Sequence, residues 1–370
     1  MHLLALEPYY AGSHRAFVDG WIAGSRHRWT LLTLPGYKWK WRMRHAPLTF
    51  CDEIAARRRD GERWDGLFAT DMVDLAQLLG LARAALGNLP AVVYFHENQL
   101  TYPSLHAGER DYHFAMTNFS TAAVAAGVWF NSDFHRREFL EGLRSFFRRM
   151  PDYPPLAWVD RIAARSEVYP QGIAPPRPLS ARPPGPLRIL WAARWEHDKN
   201  PEDFFAAMRA LRSRGVDFRL SVIGEQFSEV PAAFAEARRE FAPLIDRWGY
   251  QPDRADYERA LSAADLIVST ARHEFFGVAI VEAVAAGIRP VLPQRLAYPE
   301  IFPPQSFPDW YYDGTVAGLV DKLVMLARRF AETGSLRSPS LPAGASAAER
   351  FFWPVLAPRL DDALEAALRR

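Results

Sequence analysis

Between Pro170 and Leu187 the chain reads PQGIAPPRPLSARPPGPL, and seven of these 18 residues are proline. Proline fixes φ and carries no N–H, so this stretch can be neither a helix nor an inner strand. It reads as a semi-stiff linker near the middle of 370 residues, leaving two folding units of ordinary domain size. On each side of it short apolar runs alternate with helical patterns. Before it the expected strands are 2–6, 29–34, 66–69, 91–95, 127–130 and 167–169, with helices over 13–23, 73–86, 115–126 and 133–147. After it strands are expected over 187–192, 218–223, 266–269 and 289–292, with helices over 201–214, 231–241, 253–263 and 278–286. Strand–helix alternation implies parallel sheets covered by helices, and near-continuous apolar strands suit burial on both faces. The fold class is therefore α/β, two Rossmann-like parallel-sheet domains facing across a cleft. The expected divisions are 1–169, the linker 170–186, 187–345, and a helical tail over 346–370 that packs back on the first domain.

The bulk properties exclude several classes. A formal net charge of +2 gives no licence for nucleic-acid binding by itself. The single cysteine, Cys51, can form no internal disulfide and belongs to no zinc cluster, which fits a reducing compartment. The opening MHLLALEPYY has no basic leader and its apolar run is broken by Glu7, so no signal peptide is expected. No uncharged apolar stretch approaches the ~18 residues of a membrane span. A soluble, cytoplasmic protein is expected.

Open parallel sheets bind ligands outside the carboxyl ends of their strands. After the strand 187–192 comes AARWEHDKNP, which places Arg194 and Lys199 on a loop before a helix that can start at Pro201. Fixed positive charge there suits a diphosphate. Alone, the loop is equally well explained by ordinary surface charges. After the strand 266–269 comes STARHEFFGVAIVEA. The amides of Phe276, Gly277 and Val278 would be unpaired donors at a helix start, a ready anion site that glycine lets a ligand approach. Glu274 just before them can accept from sugar hydroxyls. Glu282 lies five residues beyond Gly277, roughly 7 Å up the helix axis, where it can grip a ribose. Singly, each glutamate reads as a salt-bridged or dipole-favoured helix residue. Two carboxylates flanking a glycine helix start, joined to Arg194 and Lys199, favour the functional reading. Gly224–Phe227 and Gly249–Pro252, including Gly224 and Glu225, are the expected surroundings of a base.

In the first half, the strand 2–6 runs into EPYYAGSH. Gly12 permits a tight turn, Ser13 can cap the next helix, and His14 faces the expected cleft. The G-x-G-x-x-G fingerprint is absent, which disfavours a nicotinamide enzyme. The strand 91–95 runs into HENQLTYP, so His96, Glu97 and Asn98 stand at a carboxyl edge and suit hydrogen bonds to a sugar or a base. A lone histidine is more often structural. The segment YKWKWRMR alternates aromatic or apolar residues with cations. If extended, it presents Lys38, Lys40, Arg42 and Arg44 on one face, suited to phosphates, with stacking on the other. An edge strand with packed tryptophans and pairing-blocking charges explains it slightly better from sequence alone. Phe146-Phe147-Arg148-Arg149 has the same character.

The Glu274/Glu282 pair with Arg194 and Lys199 resembles the retaining GT-B nucleotide-sugar glycosyltransferases of family 4. That resemblance assigns Glu274 to the donor sugar, Glu282 to the ribose, Arg194 and Lys199 to the leaving phosphate, and His96 to the donor sugar. The stretches EPYYAGSH, LPGYKWKWRMR, YFHENQLTYP, ARWEHDKNPEDFF, VIGEQF, STARHEFFGVAIVEAV and YPEIFP resemble a narrower family, the tRNA-queuosine mannosyltransferases. This implies GDP-mannose as donor, queuosine in a tRNA anticodon as acceptor, and RNA contacts for Lys38, Lys40, Arg42 and Arg44. Gly12, Gly224, Glu225 and the 276–278 amides would serve the donor, and Ser13, His14, Glu97 and Asn98 the acceptor. No Asp-x-Asp pair occurs, so no metal and no other cofactor is expected. Three rivals remain: the same fold acting on another glycan, lipid or small molecule; a glycosidase with two carboxylates, which needs no phosphate loop; and a non-catalytic tRNA-binding relative.

Overall fold

The structure, a computed structural model, describes residues 1–103, 111–176, 182, 184–227, 229–336 and 342–370. Residues 177–181 and 183 of the expected linker lie outside them. The chain divides into two compact units, Met1–Ala174 with Phe351–Arg370, and Pro175–Arg350.

The first unit is built on β1 (His2–Tyr10), β2 (Arg28–Pro35), β3 (Gly66–Thr70), β4 (Ala91–Phe95), β5 (Gly127–Phe130) and β6 (Ser166–Val168). They form one sheet in the order β2-β1-β3-β4-β5-β6, each pair parallel. Alternate residues of a strand point to opposite faces. Leu4, Leu67, Val93 and Val128 therefore enter one core, and Leu3, Phe68, Val92 and Trp129 the other. Residues of the second set pack against Phe17 and Trp21 of the helix Gly12–Gly24 and Leu356, Leu360 and Leu364 of the helix Trp353–Leu368. Buried Asp361 fixes that last helix, accepting from Trp21 Nε1, Ser25 Oγ and the Arg26 amide, each at 2.8 Å. A buried carboxylate with three donors is satisfied rather than costly.

The second unit carries β7 (Leu187–Ala192), β8 (Phe218–Ile223), β9 (Ile245–Gly249), β10 (Leu266–Val268), β11 (Arg289–Pro293) and β12 (Tyr311–Tyr312). Their order is β12-β11-β10-β7-β8-β9, again parallel throughout. The strands absent from the sequence reading are both edges. β9 is half-exposed and carries Asp246 and Arg247, and β12 is only two residues long.

One local expectation is overturned. The segment 37–44 is not extended. After Lys38, in the left-handed region at φ 53°, the chain enters a helix over Trp39–Arg59. Its buried residues, Met43, Ala46, Pro47, Phe50 and Ile54, recur at helical spacing. Helical geometry spreads the four cations around the axis instead of aligning them. Arg42 turns inward: it is 6% exposed, its Nε donates to the Pro35 carbonyl at 2.9 Å, and its guanidinium lies over the Tyr37 ring.

Candidate functional site

β7 and β10 are neighbours in the second sheet, which brings together two loops that are far apart in sequence. The loop after β7 makes a 3-10 turn over His197–Lys199, and Asn200 at φ 53° redirects it into the helix Pro201–Ser213 with proline in its first turn. The loop after β10 runs through Glu274 to Gly277 and the helix Val278–Ala285. The loops are stitched to each other. Thr270 Oγ1 donates to the carbonyls of Lys199 and Asn200, both at 2.9 Å, and the Arg272 amide donates to the Asp198 carbonyl at 2.8 Å.

Lys199 is the centre of this arrangement. Its buried Nζ donates to the His273 carbonyl at 2.8 Å and to Glu274 Oε2 at 3.2 Å, and lies 3.0 Å from Asp198 Oδ2. Burial opposes the charged amine, but Glu274 and Asp198 outweigh it and hold its pKa above the ordinary lysine value. Burial likewise opposes the Asp198 charge, and Lys199 and Arg194 outweigh it, holding that carboxyl below its usual range. His273 is pushed down to about 4 by burial and by Lys199, so it is neutral at pH 7. Arg194 stands on the same loop, more open, with Nε 3.4 Å from Glu196 Oε2.

Gly277 caps the second helix at φ 88°, and a Cβ there would lie 2.9 Å from Tyr298 Cε1, so both the backbone and the space call for glycine. The Phe276 amide donates to Glu274 Oε1 at 3.4 Å. Val278 begins the helix, and Glu282 within it accepts from Tyr257 Oη at 2.7 Å and pairs with Arg254 at 2.8 Å. Burial and Glu282 together push the Tyr257 hydroxyl pKa well up, so it stays a donor. Sequence reasoning missed Arg254 and Tyr257. Their i,i+3 spacing marks one helix face, but nothing local names the partner. Gly224, at φ 155°, donates its amide to the Gly249 carbonyl at 3.3 Å, which joins the two loops expected around a base. A Cβ at Gly224 would sit 1.7 Å from the Ala193 carbonyl oxygen. Exposed Glu225 offers its own carbonyl to the Trp195 amide at 2.9 Å.

In the first unit the carboxyl ends of β1, β3 and β4 gather Glu7, Asp71 and His96, with His14 from the helix after β1. Glu7 is fully buried; Oε1 accepts the Tyr9 amide at 2.8 Å and Oε2 lies 3.2 Å from His14 Nδ1. Burial works against a charged His14, yet Glu7, helped by Asp71 and Glu97, outweighs it and raises the ring to about 9. Asp71 is raised to about 8, chiefly by burial, against the pull of His14. It accepts the His96 amide at 2.9 Å. His96 lies against His14, with ring centroids 4.0 Å apart and planes 34° from parallel, and is pushed well down by burial and then by the His14 charge. Both of its ring nitrogens are buried and lack a hydrogen-bond partner among the described residues. Such groups need an explanation, and a ligand supplies one.

Glu7, His14 and His96 also offer ligand atoms within 4.8 Å of one another. The Glu7 and His14 atoms of that group already lie 3.2 Å from each other. Three expectations for this edge are corrected. Ser13 is not the cap: the helix starts at Gly12, at φ 49°, and the capping position is Ala11, with no side-chain bond. Asn98 is fully buried and spent inside its own turn, accepting the amides of Leu100 and Thr101 at 3.1 and 2.9 Å. Arg42 is packed inward as described above. Glu97 is half-buried and accepts from Gln99 at 3.0 Å. Lys38, Lys40 and Arg44 remain exposed. Glu7 was missed as a site residue because in sequence it only interrupts an apolar strand.

Comparison with known proteins follows the same lines. Residues 2–173 match the family described as tRNA-queuosine alpha-mannosyltransferase N-terminal, and residues 143–295 match family 4 glycosyltransferases in conflict systems. The tRNA-queuosine alpha-mannosyltransferase of Drosophila melanogaster is 33% identical over 317 residues, covering 82% of each chain. A GDP-mannose-dependent alpha-(1-6)-phosphatidylinositol dimannoside mannosyltransferase of Mycobacterium tuberculosis is 30% identical over a third of this chain and 31% of its own. The sucrose-phosphate synthase of Thermosynechococcus elongatus shares the fold over the full length of both chains, with TM-score 0.74 at 14% identity. The architecture is thus the GT-B fold.

Proposed function

The chain belongs to the tRNA-queuosine alpha-mannosyltransferase family, and on that premise we propose that it transfers mannose from GDP-mannose to queuosine in a tRNA anticodon, with retention at the anomeric carbon. The observation that carries the chemistry is Lys199, a buried ammonium held by Asp198, Glu274 and the His273 carbonyl. A glycosyl donor breaks the bond from its anomeric carbon to the β-phosphate oxygen, and charge grows on that oxygen as it leaves. A cation fixed in advance by protein groups stabilises that charge without reorganising. Lys199 has this character, and Arg194 on the same loop adds a second cation.

The remaining roles belong to the same proposal. Glu274 shares its carboxylate between Lys199 and the Phe276 amide, and it accepts from the donor sugar's hydroxyls. The amides at Phe276, Gly277 and Val278 face the diphosphate. Glu282, held by Tyr257 and Arg254, accepts from the ribose. The loops joined through Gly224 and Gly249 flank the base. His96, with two unpartnered ring nitrogens, contacts the donor sugar, and His14 lies beside it on the acceptor side. The acceptor hydroxyl attacks from the face the phosphate leaves, and its proton passes to the departing phosphate oxygen, releasing GDP. Lys199 and Arg194 supply the positive charge, so the reaction needs no metal ion or other cofactor. Among the described residues no helix is long and apolar enough to cross a membrane, and the place of action is the cytoplasm, where tRNA is met.

The test is incubation of the purified protein with GDP-mannose and queuosine-containing tRNA for aspartate, without metal, followed by mass analysis of the modified base. One added hexose is expected, and none with the Glu274→Ala variant. Binding or slow hydrolysis of GDP-mannose without transfer would keep the glycosyltransferase and discard the tRNA. Neither binding nor transfer with any common nucleotide sugar would sink the enzyme.

A further inference from the structure

The helix Trp39–Arg59 opens with an exposed surface that the chemistry above does not use. Trp41 is 62% exposed and Tyr37 59%. Singly, exposed rings need no explanation, but several gathered with cations make a patch that can take a stacking partner. Trp41 already has His45 against it, with centroids 5.0 Å apart and planes 31° from parallel. Lys38, Lys40 and Arg44 stand among these rings, exposed, and none of the three makes an ion pair with a carboxylate among the described residues. The charge is not diluted nearby: from residue 20 to residue 51 the sequence contains no aspartate or glutamate.

The surface continues beyond this helix. The Arg44 guanidinium lies 5.0 Å over the ring of Phe114, on the helix Tyr112–Val124. At the start of that helix Tyr112 is 40% exposed and stacks on Phe146, with planes 24° apart. The exposed Arg149 caps both of those rings, at 5.8 and 5.7 Å. A band of aromatic rings and cations thus runs along one side of the first unit and takes in part of the 146–149 run that the sequence singled out.

We infer that this band, with Trp41 and Tyr112 as ring platforms and Lys38, Lys40, Arg44 and Arg149 as phosphate contacts, is where single-stranded RNA of the acceptor docks. The inference rests on the reading of the acceptor as a tRNA and deepens it by locating the surface. Unpaired bases of a loop present π faces, which stack on aromatic side chains and on arginine whatever their sequence, while lysine and arginine meet the phosphates. Arg42, behind Tyr37, belongs to the scaffold: its guanidinium lies 4.6 Å from the centre of that ring. An anionic membrane is the weaker match, because the exposed rings alternate with cations instead of forming the broad apolar face that inserts into lipid.

The experiment measures binding of a labelled, queuosine-containing anticodon stem–loop RNA to the full chain over a range of KCl concentrations. Trp41→Ala should weaken binding roughly 5- to 100-fold with the salt slope unchanged, since a stacking contact is lost, and Trp41→Phe should recover most of it. The double variant Lys38→Ala/Lys40→Ala should lower the slope of log K against log salt by about 1.4, as expected for two single-strand phosphate contacts. The double variant Arg238→Ala/Arg239→Ala, on the helix Ala232–Glu240 of the second unit, controls for general loss of charge, and thermal melting confirms that each variant is folded. If the unaltered protein does not bind the RNA at all, the tRNA reading fails and this inference with it. If it binds, and the Trp41 and Lys38/Lys40 variants bind as well as it does or no worse than the control, the surface is wrong while the tRNA reading stands. Loss of binding to phosphatidylserine vesicles in these variants, with RNA binding intact, also overturns it.

Discussion

Replacing Glu7 by glutamine removes the carboxylate that holds His14 and keeps its shape. In the folded chain His14 lies at about 9, against about 6.5 for an ordinary imidazole, a difference worth about 3 kcal/mol. The folded value is above the unfolded one. The stabilisation is therefore complete below about pH 6.5 and is lost as pH rises through about 9. Asp71 and Glu97 also face the ring, but only Glu7 bonds it, at 3.2 Å. Without Glu7 the burial of His14 dominates and drives its pKa down. Two measurements follow. Nitrogen-detected NMR of the histidine rings, assigned with His14→Gln, should show His14 titrating near 9 in the unaltered protein and at least two pH units lower in the variant, roughly the loss of one strong charge-assisted contact. Thermal melts should show Glu7→Gln costing about 3 kcal/mol at pH 6 and much less at pH 10. A ring that titrates alike in both proteins, or a penalty independent of pH, refutes the pairing.

Lys199→Met strands Asp198 and Glu274 beside a methyl group. Transfer from GDP-mannose should fall by roughly two to three orders of magnitude, read as kcat, and a rate within tenfold of the original would remove Lys199 from the leaving-group role. Asp361→Leu leaves three buried or half-buried donors, from Trp21, Ser25 and Arg26, without their acceptor. It should destabilise the first unit by about 3 kcal/mol, visible as a lower melting temperature, and a loss below about 1 kcal/mol would mean that water replaces the carboxylate.

How much of this was legible depended on the range of the signal. β4, β5, β7 and β8 were bounded correctly because a strand buried on both faces is a continuous apolar run with turn residues at its ends. The Lys199 and Glu274 loops were legible as loops after strand ends, where α/β sheets bind ligands, and they do follow β7 and β10. The contact between them was not, since it depends on β7 and β10 being neighbours, a fact of topology. The helix Trp39–Arg59 was missed for local reasons. Its capping residue is a left-handed lysine with no side-chain bond and Pro47 sits inside it, so the usual start signal was absent and a breaker stood in the middle. The period-two alternation of cations and rings over 37–44 then imitated a strand. Glu7 was illegible because its worth lies in His14, seven residues on and around a turn.

The two charged clusters occupy equivalent places, at the carboxyl ends of central strands, and share one design, a buried cation held by carboxylates. In the second unit a buried ammonium is stabilised by Asp198 and Glu274. In the first, Glu7 and Glu97 with the partly protonated Asp71 surround one imidazolium. Each unit thus holds its charge by internal partners before any ligand arrives, so on the proposed function neither has to build that field at the moment substrate binds. That is costly in isolation, because a buried charge is tolerated only while its partner remains. It also sets a condition on ligand binding. A diphosphate that draws on Lys199 competes with Glu274 for the same ammonium, so the donor sugar's hydroxyls must compensate the carboxylate as the phosphate takes the cation. A free nucleoside diphosphate satisfies only half of that exchange. GDP-mannose should accordingly gain affinity over GDP through Glu274, and Glu274→Gln should narrow the gap between the two ligands in a direct titration. If the variant weakens both equally, Glu274 serves only to hold Lys199.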